Sequence, residues 1–197
     1  MRHGFFVVLQ AMEAFVLENK KFVRLPEEEM GHFHSGDCYV FLCRYWVPAV
    51  DSEAGGAGGT GAAGAGPNGD ADTQEDDFQC VVYFWQGRDA SDMGWLTFTF
   101  SLQKKFESLF GNKLEVVRTR QQQENLKFLS HFHRKFIIHR GKRKQAKGPE
   151  WTAPTEFFQV RSSGSALCTR CIQINPDSAL LNSCFWYATL PLWAAAD

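Results

Sequence analysis

Between Tyr83 and Phe110 the sequence reads YFWQGRDASDMGWLTFTFSLQKKFESLF and supports two periodicities at once. Leu96, Phe98, Phe100 and Leu102 alternate with Thr97, Thr99, Ser101 and Gln103, the period-2 pattern of a half-buried strand. Trp95, Phe98, Leu102, Phe106 and Leu109 recur at helical spacing, with Thr97, Ser101, Lys104, Lys105 and Ser108 on the opposite face. Length decides between the two. A strand of about 15 residues would be unusual, and QKKFESLF is built of helix formers in helical phase. The segment therefore reads as a helix over 93–110, about 25 Å long. Ser91 or Asp92 can cap its start, and Gly111-Asn112 stop its end.

The segments around it are short. AFVLENKKFVRLP (14–26) reads as two strands about a turn at Glu18-Asn19-Lys20. HSGDCYVFLCRYWVP (34–48) reads as a strong strand closed by Pro48, and FQCVVYFWQG (78–87) as another. LEVVRT (114–119) is strand-like, QENLKFLSHF (123–132) reads as a second, shorter helix, and FIIHRG (136–141) as a further strand. This order predicts an α+β domain with a mixed sheet between one long and one short helix. The Gly/Ala-rich, acidic segment 51–77 cannot bury apolar surface and is expected to form a disordered loop inside that domain, which runs over 13–147. From 156 the pattern restarts with EFFQVR, TRCIQI and SALLNSCFWYATL, so 156–197 reads as the partial start of a second repeat.

Net charge is −1 and selects no partner by itself, but HFHRKFIIHRGKRKQAK (131–147) holds seven Lys/Arg and no acid. Such a cluster attracts phosphates on lipid or nucleic acid, or is a solvated strand end and loop. Trp and Phe look consumed by core packing, which leaves no stacking platform for nucleic acid. Cysteines 38, 43, 80, 168, 171 and 184 form no regular framework and read as reduced thiols of an intracellular protein. Cys38 and Cys43 should face opposite sides of one strand, which argues against a zinc site with His32 and His34. Cys168-Thr-Arg-Cys171 lacks the strand-to-helix placement of a redox pair. Phosphate-loop, nucleophile-elbow and His-Glu-x-x-His motifs are absent, so nothing supports an enzyme. MRHGFFVVLQAM is a poor signal peptide, and no apolar run is long enough to span a bilayer.

FHSGDCYVFLCRYW, VYFWQGRDAS, and FLSHF followed by FIIHRG together resemble the gelsolin/villin superfamily, from about 13 to 144. FQVRSSGSALCTRCIQINPDSALLNS (158–183) resembles the opening of a following repeat. The resemblance implies a gelsolin-like repeat, a sheet between a long and a short helix, and a cytoplasmic, cytoskeletal protein that binds actin, as monomer or filament, with the nucleus as an alternative location. It places the long helix in a cleft of actin, where Leu96, Phe100, Gln103, Lys104 and Glu107 would face the partner, unless Leu96 and Phe100 merely widen the buried face. It also implies a phosphatidylinositol bisphosphate-responsive stretch, here Arg134, Lys135, Arg140, Lys142, Arg143 and Lys144. A calcium site in such repeats would use Gly36 and Asp37 with a helix Glu and a carbonyl near Arg143. The helix position falls on Met93 or Gly94, and Asp92 lies one or two residues early, so calcium binding is expected to be weak or nil.

Overall fold

The computed structural model describes residues 8–47, 78–144, 155–162, 164–175 and 187–188. Segment 51–77 and most of 176–197 lie outside the described residues, as does Lys147 of the basic stretch. Strand β1 (Val8–Glu18) turns into β2 (Lys21–Arg24) through Asn19 and Lys20, both at positive φ (45° and 65°). Two left-handed residues are what a two-residue hairpin requires, because that turn matches the twist of its strands. Strands β4 (Cys38–Trp46), β5 (Phe78–Gln86) and β6 (Leu114–Arg120) complete a five-stranded sheet in the order β2-β1-β4-β5-β6. All its pairings are antiparallel except β5 with β6, so the central sheet is mixed, as expected.

Alternation along β4 and β5 makes two cores. Cys38, Val40, Val82 and Phe84 face the long helical segment, against Phe98 and Phe106. Tyr39, Phe41, Cys43, Tyr83 and Trp85 face the other way, onto Phe128 and Leu129 of the short helix α3 (Leu126–Ser130), with Phe33, Phe132 and Phe136. Cys38 and Cys43 thus point to opposite faces, and every described cysteine is a free thiol. Asn125 caps α3 by accepting a hydrogen bond from Phe128 N at 2.8 Å.

The long helical segment starts and stops where its period indicates but is not one regular helix. It runs as α1 (Met93–Phe98), a π turn (Thr99–Gln103) and α2 (Lys104–Phe110), ending at Gly111 with φ of 52°. No side chain caps its start. The wide turn has a sequence cause: the inward residues are Phe98, Leu102, Phe106 and Phe110, each four apart. Steps of four outrun a 3.6-residue turn, and one wider turn restores the phase. Phe110 therefore packs inward, against Phe78 and Phe106. Leu109, expected on the buried face, is instead 71% exposed.

Strand β7 (Ile137–His139) does not join the central sheet. It lies in a second sheet of order β10-β8-β9-β7-β3, formed with β3 (His32–His34), β8 (Phe157–Arg161), β9 (Arg170–Ile174) and the two-residue β10 (Tyr187–Ala188). Strands β3, β7 and β9 run parallel. Ile138 and Ile172 drop into the α3-side core, so residues from both ends of the chain close the same interior. Glu124 fixes that closure. Its carboxylate accepts from Trp85 Nε1 (2.9 Å), Gln122 N (2.8 Å) and Arg170 Nε (2.8 Å), and its carbonyl accepts from Arg170 Nη2 (3.3 Å).

Candidate functional site

The outward side of the long helical segment carries an apolar row. Met93, Leu96 (45% exposed) and Phe100 (71% exposed) follow at i, i+3 and i+7. Phe100 sits inside the π turn, and Lys104 Nζ lies 5.6 Å from its ring centre. Gln103 Nε2 donates to Glu107 Oε1 at 2.8 Å, whereas Gln103 Oε1 is buried without a hydrogen-bond partner among the described residues. Leu96, Phe100, Gln103, Lys104 and Glu107 are therefore brought onto one side, with Leu96, Phe100, Lys104 and Glu107 exposed. Neither exposed apolar side chain is needed to fill the core beneath. That core is closed by Phe98, Leu102, Phe106 and Phe110.

The start of the segment is tied to β6. Asp92 Oδ1 accepts from Gln86 Nε2 (3.2 Å), Arg118 Nη2 (3.0 Å) and Arg120 Nη2 (3.4 Å). The Gln86 hydrogen bond and the two guanidiniums hold the Asp92 carboxyl below the usual range. Arg118 also lies over the Trp95 ring at 4.8 Å.

Of the groups expected to hold calcium, one Asp37 oxygen already has a hydrogen-bond partner. Gly36 N donates to the Gly141 carbonyl (2.7 Å), and Asp37 Oδ2 accepts from Arg143 N (2.6 Å). Burial pushes the Asp37 carboxyl up. A side chain at Gly94 would start 2.4 Å from Cys38 Sγ, so no carboxylate fits there, and Asp92 is held by its two arginines. Calcium takes six to eight oxygens, several of them charged. Among the described residues no group of three or more His, Cys, Asp or Glu side chains converges as a metal site.

The basic stretch divides. Arg143 is clamped by Glu29 and Glu18, and Lys144 Nζ reaches Glu18 Oε2 at 2.6 Å. The Arg143 hydrogen bond keeps the Glu29 carboxyl low and raises the Arg143 guanidinium. Arg134, Lys135, Arg140 and Lys142 are exposed. Arg140 lines a cleft of about 540 Å³ with Arg88, Arg161, Gln121 and Gln173. Sequence spacing could not place Arg88 and Arg161 beside it, because Arg88 follows β5 of the central sheet and Arg161 ends β8 of the second.

Comparison with known proteins shows what the chain is similar to. The flightless-1 protein of Drosophila melanogaster is 63% identical over 181 residues, and the flightless-1 homolog of Homo sapiens 64% over 186. Each match covers 91% of this chain, but the chain spans only 14% of the length of either relative. Gelsolin of Xenopus laevis is 27% identical over 85% of the chain and 33% of its own length. Among solved structures, one from a complex of Thorarchaeota 2DGel3 with rabbit actin aligns at TM-score 0.41 and 16% identity, over 89% of this chain and 68% of that one. No protein-family model matches.

Proposed function

We propose that this chain, a relative of the flightless-1 proteins along nine-tenths of its length, is a non-enzymatic gelsolin-like unit of a cytoskeletal protein that binds actin through the outward row of its long helical segment. The observation that carries the reading is Phe100. It is a large aromatic held 71% exposed at the middle of the segment, where an exposed Phe costs solubility and fills no core. Leu96 extends the apolar contact, while Lys104, Gln103 and Glu107 supply a polar flank, the composition of a helix that enters a partner's groove. Burying a Phe side chain is worth about 1.5–3 kcal/mol. Phe100→Asp should therefore weaken actin binding by at least tenfold in co-sedimentation and monomer-binding assays, with the thermal transition nearly unchanged. Unaltered affinity, or a large loss of stability, would refute this docking face.

A second reading, a phosphoinositide-responsive surface, is favoured by one observation. Arg140 shares a cleft with Arg88 and Arg161, whereas Arg143 and Lys144 spend their charge on Glu18 and Glu29. On this reading Arg134, Lys135, Arg140 and Lys142 supply the accessible charge, at about 1 kcal/mol per basic residue near an anionic leaflet.

A further inference from the structure

Two histidines 107 positions apart close the seam between β3 and β7: His32 Nδ1 lies 2.9 Å from His139 Nε2. Their rings stack at 5.2 Å and 22°. Each strand is only three residues long, in the register His32↔Ile137, Phe33↔Ile138, His34↔His139. The imidazole pair adds a side-chain link to the backbone ladder, whose flanking bonds run from Ile137 N to the Gly31 carbonyl (2.8 Å) and from Ser35 N to the His139 carbonyl (2.9 Å). Strand β7 in turn carries β9, and β9 carries β8.

A hydrogen bond between two imidazoles needs one N–H and one bare nitrogen. It survives one added proton and is lost with two. We propose that the His32–His139 pair is an acid-sensitive clasp: closed at neutral pH, it holds β3 on β7, and proton uptake opens this seam and loosens the hold on β9.

The surroundings bear on both states. Glu29, from the short helical turn Glu27–Glu29, favours charge on His32, while Lys135 and His139 oppose it. His139 Nδ1 faces Glu156 Oε2 at 4.0 Å, and its ring meets the edge of Phe158. His34 stacks on the other side of His139 at 5.0 Å, bonded to Tyr39 Oη at 3.1 Å with Arg143 nearby. Burial outweighs Glu29 and moves His32 from 6.5 to about 4. Burial lowers His139 as well. A group lowered in the closed state contributes stability above its free pKa, and that stability is lost as pH falls below it. For His32 alone, moving from pH 7.5 to 5.5 raises the open population about tenfold.

Amide hydrogen exchange of the whole chain at pH 7.5 and 5.5, corrected for intrinsic rates, tests the clasp. In the wild type, residues 32–34 and 137–139 should lose protection by about tenfold at pH 5.5, followed by 170–174, while β4 and β5 hold. His32→Asn, which keeps a polar group that cannot titrate, should remove most of that pH response, and His139→Asn only the share that His139 adds. Should His139→Asn fail to fold at pH 7.5, His32→Asn decides alone. Equal protection at the two pH values in the wild type would overturn the proposal. So would a wild-type response that persists in His32→Asn, which would assign acid sensitivity to His34 or Glu156.

Discussion

Arg170→Met removes the one cation among the described residues that reaches Glu124, and its cost can be worked from the geometry. The Glu124 side chain is 0% exposed and that of Arg170 16%, so solvent screens the pair little. The variant gives up Arg170 Nε to Glu124 Oε2 and Nη2 to the Glu124 carbonyl, while Trp85 Nε1 and Gln122 N go on donating to Oε1. Breaking a buried pair by deleting one partner costs roughly 3–5 kcal/mol, because the remaining charge is uncompensated. Two surviving donors put this case at the low end, about 3 kcal/mol. For a chain of this size that is roughly 6–12 °C in melting temperature. The diagnostic is a double-mutant cycle read by urea or thermal denaturation. If the cost is an orphaned charge, Arg170→Met with Glu124→Gln should be more stable than Arg170→Met alone. A single variant within about 0.5 kcal/mol of wild type, or additive effects, would refute the reasoning and detach β9 from the interior.

Two further outcomes follow from the same coordinates. His131 Nδ1 lies 3.0 Å from the Phe128 carbonyl, which can only accept, so Nε2 is bare and accepts from Tyr45 Oη at 2.6 Å. Burial holds His131 below 6.5, so its contribution is present above that value and should fade as pH falls. Tyr45→Phe should cost about 1–3 kcal/mol at pH 7.5 and flatten the acid-side decline, which stability measured from pH 7.5 to 5 would read. Calorimetry with calcium should show no micromolar site in the wild type. A clear heat that Asp37→Ala abolishes would mean that Asp37 exchanges its bond to Arg143 N for the metal.

What was legible in the sequence was what repeats locally. The 3.6 period gave the bounds of the 93–110 segment, and alternation gave β4 and β5 with Cys38 and Cys43 on opposite faces. The π turn was hidden in plain spacing: successive inward residues four apart signal it, yet Leu109 fits a regular helix as well as Phe110 does, and only packing on Phe78 chooses. Pairings across the chain left no local trace. Nothing near His32 announces His139, nor Glu124 Arg170, because each pair is made by tertiary packing rather than by neighbours in sequence. The basic stretch reads as one cluster in sequence and is two in space, since Glu18 and Glu29 claim Arg143.

The second sheet also sets an order of events. Its strands come from residues 32–34, 137–139, 157–161 and 170–174, so pairing β7 with β3 and with β9 must close a long stretch of chain before it gains anything. The hairpin of β1 and β2 asks for two turn residues only. On a ribosome delivering the chain from its start, the central sheet and its long helix can assemble once residue 120 has emerged, and α3 soon after. The aromatic floor around Phe33 and Phe128 must then wait, uncovered on one side, until Ile172 arrives.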